Sequence, residues 1–296
     1  MKFLLTGDWH IRERNSRSRT NVVAAVFHKV EHILQRATEE EVDAILQPGD
    51  FFDTSKPSWS LFGGVVSLLE KYEVGKRFQI LTIPGQHDQE NHLADIKNTP
   101  IGLLERLGYV KIPTATPITM GNYKVYGAGW GADIPTPVLR ATKQPPKTIL
   151  LTHRMVIDEK LWNKQEDFDR ANILLRHHDF DLFVCGDNHN YHTAKLAGRY
   201  LVNCGSLVRT NIDQINHEPT IFFYEDVPEP ELIPVLGFAE SETAKPLAKS
   251  EELNDLIGKL KKTRTDKVSF KDKFLQACKK GLSERGHELL KNEILI

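Results

Sequence analysis

Five short polar clusters stand directly behind apolar runs: Gly7-Asp8-Trp9-His10, Gly49-Asp50, Gly85-Gln86-His87-Asp88, Thr152-His153 and Gly186-Asp187-Asn188-His189. Carboxylates, imidazoles and an amide oxygen are the donors that hold divalent Mn, Fe, Zn or Mg. Asp8 and His10 are two residues apart, as are Asp187 and His189, so strand periodicity turns both members of each pair to one side. Each pair can grip one cation. Asp50 has two carboxylate oxygens and can bridge two cations roughly 3.5–4 Å apart, the spacing of two-metal hydrolytic sites. Gln86 supplies an amide oxygen and His153 a ring nitrogen. A single Gly-Asp after a strand is an ordinary turn, and a single His there is ordinarily satisfied by a backbone carbonyl. Five in succession need another explanation, because turns have no reason to keep selecting Asp and His at the same end of a sheet. Such a centre suits hydrolysis by a metal-activated water, with no protein nucleophile and with electrostatic stabilisation as the largest protein contribution.

The elements that must position these clusters are legible in the runs before them: Phe3-Leu4-Leu5, Ala44-Ile45-Leu46, Ile80-Leu81-Thr82-Ile83, Thr148-Ile149-Leu150-Leu151 and Leu182-Phe183-Val184-Cys185. They predict a buried, largely parallel sheet, and ligand sites of such sheets lie beyond the carboxyl ends of the strands. Residues 22–36 carry apolar side chains at Val22, Val23, Val26, Phe27, Val30, Ile33 and Leu34, which is helical spacing; residues 58–72 and 161–177 read the same way. Tyr123-Lys124-Val125-Tyr126, Tyr200-Leu201-Val202, Ile221-Phe222-Phe223-Tyr224 and Leu232-Ile233-Pro234-Val235 predict a second, mainly antiparallel sheet. The expectation is an α/β fold of two sheets packed face to face with helices outside both. Residues 1–237 would form this domain and 238–250, rich in Glu, Lys, Ala and Ser, a linker. Residues 251–296 would form a helical segment, its first helix using Leu253, Leu256, Ile257 and Leu260. Its second helix uses Phe270, Phe274, Leu275, Cys278 and Leu282, with Ser269 and Asp272 as an N-cap pair.

Composition narrows the function classes. With 40% hydrophobic and 27% charged residues the 296-residue chain is an ordinary globular one, and a net charge of −1 excludes the strongly basic profile of a DNA-coating protein. Acidic residues are in excess over residues 1–240 and basic ones over 241–296. No apolar run approaches the roughly 20 residues that span a bilayer, and the N-terminal run is too short for a signal segment, so the expected location is the cytoplasm, without membrane association. Cys185, Cys204 and Cys278 lack metal-type spacing and read as reduced thiols, two of them core filler.

The succession Asp-x-His, Gly-Asp, a glycine-led His-Asp, a lone His and a final x-His pair resembles the motifs of the calcineurin-like metallophosphoesterase superfamily over residues 1–236. Gly49-Asp50-Phe51-Phe52-Asp53-Thr54-Ser55-Lys56-Pro57-Ser58 is similar to the second motif of its SbcD-type nuclease branch, and the short chain also resembles phage-encoded members. The resemblance implies a four-layer αββα sandwich of two mixed sheets. It implies a first metal on Asp8, His10, Asp50 and His189, and a second on Asp50, Gln86, His153 and Asp187. His87 would serve the leaving oxygen as proton donor or charge stabiliser, with Asp88 orienting its ring. Two positions depart from the family pattern: Gln86 stands for Asn and Asp187 for the first His of Gly-His-x-His. Both keep ligand capacity. An oxygen-richer second site favours Mn²⁺, or Mg²⁺, over Zn²⁺.

The same resemblance implies DNA as substrate, in an exonuclease and endonuclease of recombination and repair. Rival readings are a stand-alone phosphatase or cyclic-nucleotide phosphodiesterase, and a degenerate phosphoesterase scaffold. Arg12 and Arg14, with Arg17 and Arg19 behind them, and Lys56 on the loop after Asp50 are candidate phosphate contacts. The C-terminal helices are placed like the segment with which SbcD-type nucleases bind a coiled-coil SbcC-type ATPase, and residues 58–69 could make a homodimer. Trp9 and Trp59 are expected to pack beside the site, Gly205-Ser206-Leu207-Val208-Arg209 to close its rim, and His177, His178, His192 and His217 to lie at the surface or rim.

Overall fold

Side chains alternate faces along a strand, and the motif strands of this chain are apolar on both faces, so they must be covered on two sides. A computed structural model of the protein describes residues 1–13, 22–138, 145–158, 165–209, 214, 217–225 and 231–234. All belong to the first of two units into which the chain divides, Met1–Ala244. Among the described residues the elements run β1 (Phe3–Leu5), α1 (Val22–Glu39), β2 (Ala44–Gln47), α2 (Trp59–Lys71), β3 (Gln79–Thr82), α3 (Pro100–Arg106), β4 (Val110–Lys111) and β5 (Ile118–Met120). They continue with β6 (Tyr123–Ala128), β7 (Lys147–Arg154), α4 (Ala171–His177), β8 (Leu182–Asp187), β9 (His192–Leu196), β10 (Arg199–Asn203), β11 (Thr220–Tyr224) and β12 (Glu231–Pro234).

Two six-stranded mixed sheets result, ordered β12-β11-β1-β2-β3-β4 and β5-β6-β7-β8-β10-β9. Phe3, Leu5, Ala44, Leu46 and Leu81 of the first sheet meet Tyr123, Val125, Ile149, Leu151, Leu182 and Val184 of the second in one buried cluster. The alternate residues Leu4, Ile45 and Ile80 face the opposite way and pack with Val26, Val30 and Ile33 of α1, Val65 and Leu69 of α2 and Ile101 and Leu104 of α3. Leu150, Phe183 and Leu201 do the same for the second sheet, against Leu174 and Leu175 of α4. Period-two alternation therefore builds the four layers of the expected αββα sandwich.

Strand membership differs from the sequence reading. The five motif strands do not share one sheet: β1, β2 and β3 lie parallel in the first, β7 and β8 parallel in the second. Nor do the strands at 123–126, 200–202, 221–224 and 232–235 form a sheet of their own. β6 and β10 extend the second sheet parallel to β7 and β8, while β11 joins the first antiparallel to β1 and β12 closes it antiparallel to β11. Two-sided burial makes β6, β7, β8, β10 and β11 equally apolar, which erases the sequence cue for partner choice. The helix expected at 161–177 is Ala171–His177 in its described part. Residues upstream pair instead with the chain after β7, through Asp169 N–H to Met155 O at 2.8 Å and Ile157 N–H to Asp169 O at 3.0 Å.

Helix α2 begins where its sequence says, with the Ser58 hydroxyl accepting the Leu61 N–H, and it buries Leu61, Phe62, Val65 and Leu69. The apolar face considered for a dimer is thus turned to the core. Helix α3 was not anticipated; Thr99 caps it and Pro100 opens it. Trp9 is fully buried against Phe51 as expected, whereas Trp59 is 83% exposed. Cys185 and Cys204 are buried and free. No helix of the described residues is long and apolar enough to cross a membrane. The linker, the C-terminal helices, Cys278, Arg14, Arg17 and Arg19 lie outside the described residues.

Candidate metal centre

The clusters leave β1, β2, β3, β7 and β8 at the edge where both sheets present their carboxyl ends, and the backbone turns sharply there. His10, Asp50 and Asp187 have φ of 44°, 50° and 71°. This left-handed conformation costs a non-glycine residue about 1–2 kcal/mol and persists only when its surroundings fix it. The fixing bonds are visible: Trp9 and His10 N–H both donate to Asp50 O, Leu207 N–H to Asp8 O at 2.7 Å and Ser206 N–H to His189 O at 3.0 Å. The Gly205-to-Arg209 segment therefore clamps the first and last ligand turns from behind. Glycine at 85 and 186 allows close approach, since a Cβ would lie 2.1 Å from Asp50 Oδ1 at Gly85 and 2.5 Å from Asp8 Oδ1 at Gly186.

The side chains converge. His10 Nε2 is 3.1 Å from His189 Nε2 and 3.7 Å from Asp50 Oδ2, and His189 Nε2 is 3.8 Å from Asp8 Oδ2. On the other side of Asp50, His153 Nε2 stands 3.4 Å from the same Oδ2. Donor atoms of Asp8, His10 and His189 lie within 4.8 Å of one another, and so do those of Asp8, Asp50 and His153. Asp8 belongs to both groups, and Asp50 Oδ2 stands between His10 and His153.

The donor set suits cations. Asp8 Oδ1, Asp50 Oδ2, Gln86 Oε1 and His153 Nε2 are buried with no hydrogen-bond partner among the described residues. Each such atom costs about 1–3 kcal/mol if it stays unsatisfied. His153 Nδ1 donates to Pro48 O at 2.7 Å, which directs Nε2 towards Asp50. Burial lowers the pKa of His10, and burial together with the His10 ring takes His189 down to about 3, so both rings are neutral donors at pH 7. Burial, then Asp50 and Asp187, pushes the Asp8 carboxyl well above its ordinary value, against the pull of His153. Burial also opposes charge on Asp50, yet the His153 ring holds that carboxyl below the usual carboxylate range. For His153, burial opposes the charge and the carboxylates of Asp50, Asp8 and Asp187 overcome it, pushing the ring up to about 10. Without a cation the site carries a proton there instead.

The remaining expected residues fall into place unevenly. Gln86 Nε2 donates to Asp187 Oδ1 at 3.0 Å and Asp187 N–H to Asp8 Oδ2 at 3.0 Å, so the two residues that depart from the family pattern touch each other. His87 lies at the mouth, its Nε2 4.0 Å from Asp50 Oδ2 and its Nδ1 2.9 Å from Asp53 O. Asp88 does not orient that ring. It is buried and accepts N–H bonds from Phe51, Phe52 and Gly85, tying the second and third motif turns together, with burial and Asp50 raising its carboxyl to about 7. Arg12 does not reach out towards a phosphate either. Its guanidinium is 2.8 Å from Asp53 Oδ1 and its Nε donates to His10 O, which leaves the side chain 11% exposed. Lys56 is exposed and paired with Glu90 at 2.5 Å. His217 is buried, not peripheral: its Nε2 meets Ser206 O at 2.7 Å, behind the clamp.

Asp53 was not foreseen as a site residue. Its Oδ1 is 3.3 Å from His10 Nδ1, so Asp53 faces the outer nitrogen of that ring while Arg12 holds Asp53. The one sequence signal was a second carboxylate three residues after Asp50, indistinguishable from turn chemistry.

A turn-borne cluster of carboxylates and imidazoles at the carboxyl ends of two stacked sheets defines a metal-dependent phosphoesterase, and the chain belongs to the calcineurin-like phosphoesterase family, whose sequence profile matches residues 1–203. Among curated relatives, the DNA double-strand break repair protein Mre11 of Haloferax volcanii is 25% identical over 71% of this chain and 46% of its own length. The SbcD component of the SbcCD nuclease of Bacillus subtilis is 33% identical over 40% of this chain and 29% of its own. The chain therefore spans less than half the length of these relatives. The solved structure of TT1561 of Thermus thermophilus shares the fold, with a TM-score of 0.50 and 14% identity over 79% of this chain and 98% of that one.

Two outcomes follow. A divalent cation takes the lone pair that His153 otherwise uses for its proton, so metal binding at pH 7 releases protons and affinity rises with pH as far as that ring's raised pKa. Calorimetric titration with Mn²⁺ in buffers of different ionisation enthalpy checks this, and a binding heat independent of the buffer contradicts it. Replacing Asp53→Ala leaves the fold intact and weakens Mn²⁺ binding about 10- to 100-fold, the usual cost of losing such a support; equilibrium dialysis showing unchanged affinity refutes the role.

Proposed function

We propose that this chain is a two-metal phosphodiester hydrolase acting on DNA. The observation that carries the reading is the pair of donor groups that share Asp8, with Asp50 Oδ2 3.7 Å from His10 of one group and 3.4 Å from His153 of the other. In this reading His10 and His189 hold one cation with Asp8 and Asp50. Gln86, His153 and Asp187 hold the other, against the same two carboxylates. When bound, such cations polarise a phosphoryl oxygen and make water a nucleophile near neutral pH.

The chain's own groups supply the rest. His87 donates through Nδ1 to the Asp53 carbonyl, which presents Nε2 at the mouth of the site. Protonated at Nε2, the ring can give its proton to the departing alkoxide; unprotonated, it cannot. Asp53 and Arg12 keep the His10 ring in place, and Asp88 keeps the turns of Asp50 and His87 in register. DNA as the substrate is supported by the names of the curated relatives, a double-strand break repair protein and a nuclease component. By the resemblance of residues 49–58 to the SbcD-type branch, residues 251–296 are proposed to bind a coiled-coil ATPase of the SbcC type in the cytoplasm, placing the chain in recombination and repair.

The expected behaviour is Mn²⁺-dependent cleavage of labelled linear DNA, by the chain alone or with its ATPase. Asp50→Ala abolishes cleavage and Mn²⁺ uptake together, whereas His87→Ala keeps metal uptake and loses about 100- to 10,000-fold in rate, the range for a general acid. A protein that binds Mn²⁺ yet cleaves only small phosphate esters contradicts the DNA assignment. Because Gln86 and Asp187 give the second site oxygen donors, Asp187→His shifts preference from Mn²⁺ towards Zn²⁺ in a competition titration. An unchanged Mn²⁺/Zn²⁺ ratio rules that retuning out.

A further inference from the structure

Beside the candidate metal centre, on the His153 and Asp187 side, lies a cleft of about 420 Å³ walled by Trp130 and Gly131 on one side and by residues 167–169 on the other. That volume is within the range of small-molecule sites. Trp130 is 37% exposed, high for so large an apolar side chain, but its surroundings are fixed. Its N–H donates to Pro84 O at 2.9 Å, its carbonyl accepts from Gln89 Nε2 at 3.2 Å, and the His92 ring lies 4.9 Å from it. These backbone bonds anchor the main chain of Trp130, and the His92 ring contacts its indole, so the residue is held by the loop that carries Gln86 and His87. Arg154 follows His153 in the chain and braces the two walls, donating to Ala132 O at 2.8 Å and pairing with Asp169 at 3.2 Å.

We propose that this cleft holds the nucleobase adjoining the scissile phosphate, stacked on Trp130. The inference rests on the phosphodiesterase reading of the metal centre and deepens it. Charge selects the occupant: Asp167, Asp169 and Asp187 border the cleft and Arg154 already serves Asp169, so a second phosphate is disfavoured there and a neutral heteroaromatic ring is not. Stacking needs a π face and no particular base, which suits an enzyme acting on DNA of any sequence.

The test is equilibrium binding of 5′-dAMP against deoxyribose 5-phosphate, a ligand with the same phosphate and no base, to the full chain with and without Mn²⁺. Wild type binds dAMP more tightly. Trp130→Ala loses about 5- to 150-fold in dAMP affinity, the measured worth of one base–aromatic stack, and leaves deoxyribose 5-phosphate binding unchanged. Trp130→Phe, which keeps a ring, retains most of the dAMP affinity. Equal affinity of the two ligands for wild type, or equal losses for both in Trp130→Ala, overturns the inference. Because binding needs no turnover, the two readings separate. DNA cleavage with unchanged dAMP binding by Trp130→Ala overturns the base cleft alone. Trp130-dependent dAMP binding without DNA cleavage supports the cleft and overturns the nuclease assignment.

Discussion

Two carboxylates buried side by side are the constraint around which this molecule is arranged. Asp8 and Asp50 are 1% and 0% exposed, and the imidazole of His153 is the cationic group that stands against both. Charges so placed are costly unless paired. A proton on His153 answers part of the cost, and divalent cations would answer more of it, because donor atoms of Asp8, Asp50 and His153 lie within 4.8 Å of one another. The strained turns at His10, Asp50 and Asp187, the glycines that let backbone touch carboxylate, and the clamp from Gly205 to Arg209 all hold that crowded arrangement.

The fold class was readable from the chain because strand periodicity and ligand placement point the same way. An apolar run followed by Asp or His at a turn says both that a strand ends and what stands at its end. Sheet membership was not readable. β6, β10 and β11 are buried on both faces, and nothing in Val125, Leu201 or Phe222 distinguishes a parallel neighbour from an antiparallel one. Length misled within the span read as one helix: residues 165–170 precede the helix Ala171–His177, and Asp169 pairs by its backbone with Met155 and Ile157.

At the site, ligand types were legible and supporting roles were not. Asp88 and Asp53 are both turn aspartates near the second and third motifs. The family resemblance implies that Asp88 serves His87 and gives Asp53 no role, whereas the structure gives Asp88 to three backbone N–H groups and Asp53 to His10 and Arg12. Hydrogen bonds between turns of different strands depend on tertiary geometry, which no local spacing encodes. The contact between Gln86 and Asp187 is of the same kind: two departures 101 positions apart prove to be one hydrogen-bonded pair.

The central claim is that Asp8 and Asp50 lie between two cations. Anomalous diffraction from crystals grown with Mn²⁺ measures this directly. The account predicts two peaks about 3.5–4 Å apart, as in two-metal hydrolases, with the Asp50 carboxylate contacting both. A single peak, or peaks remote from Asp8, Asp50, His153 and His189, would contradict it.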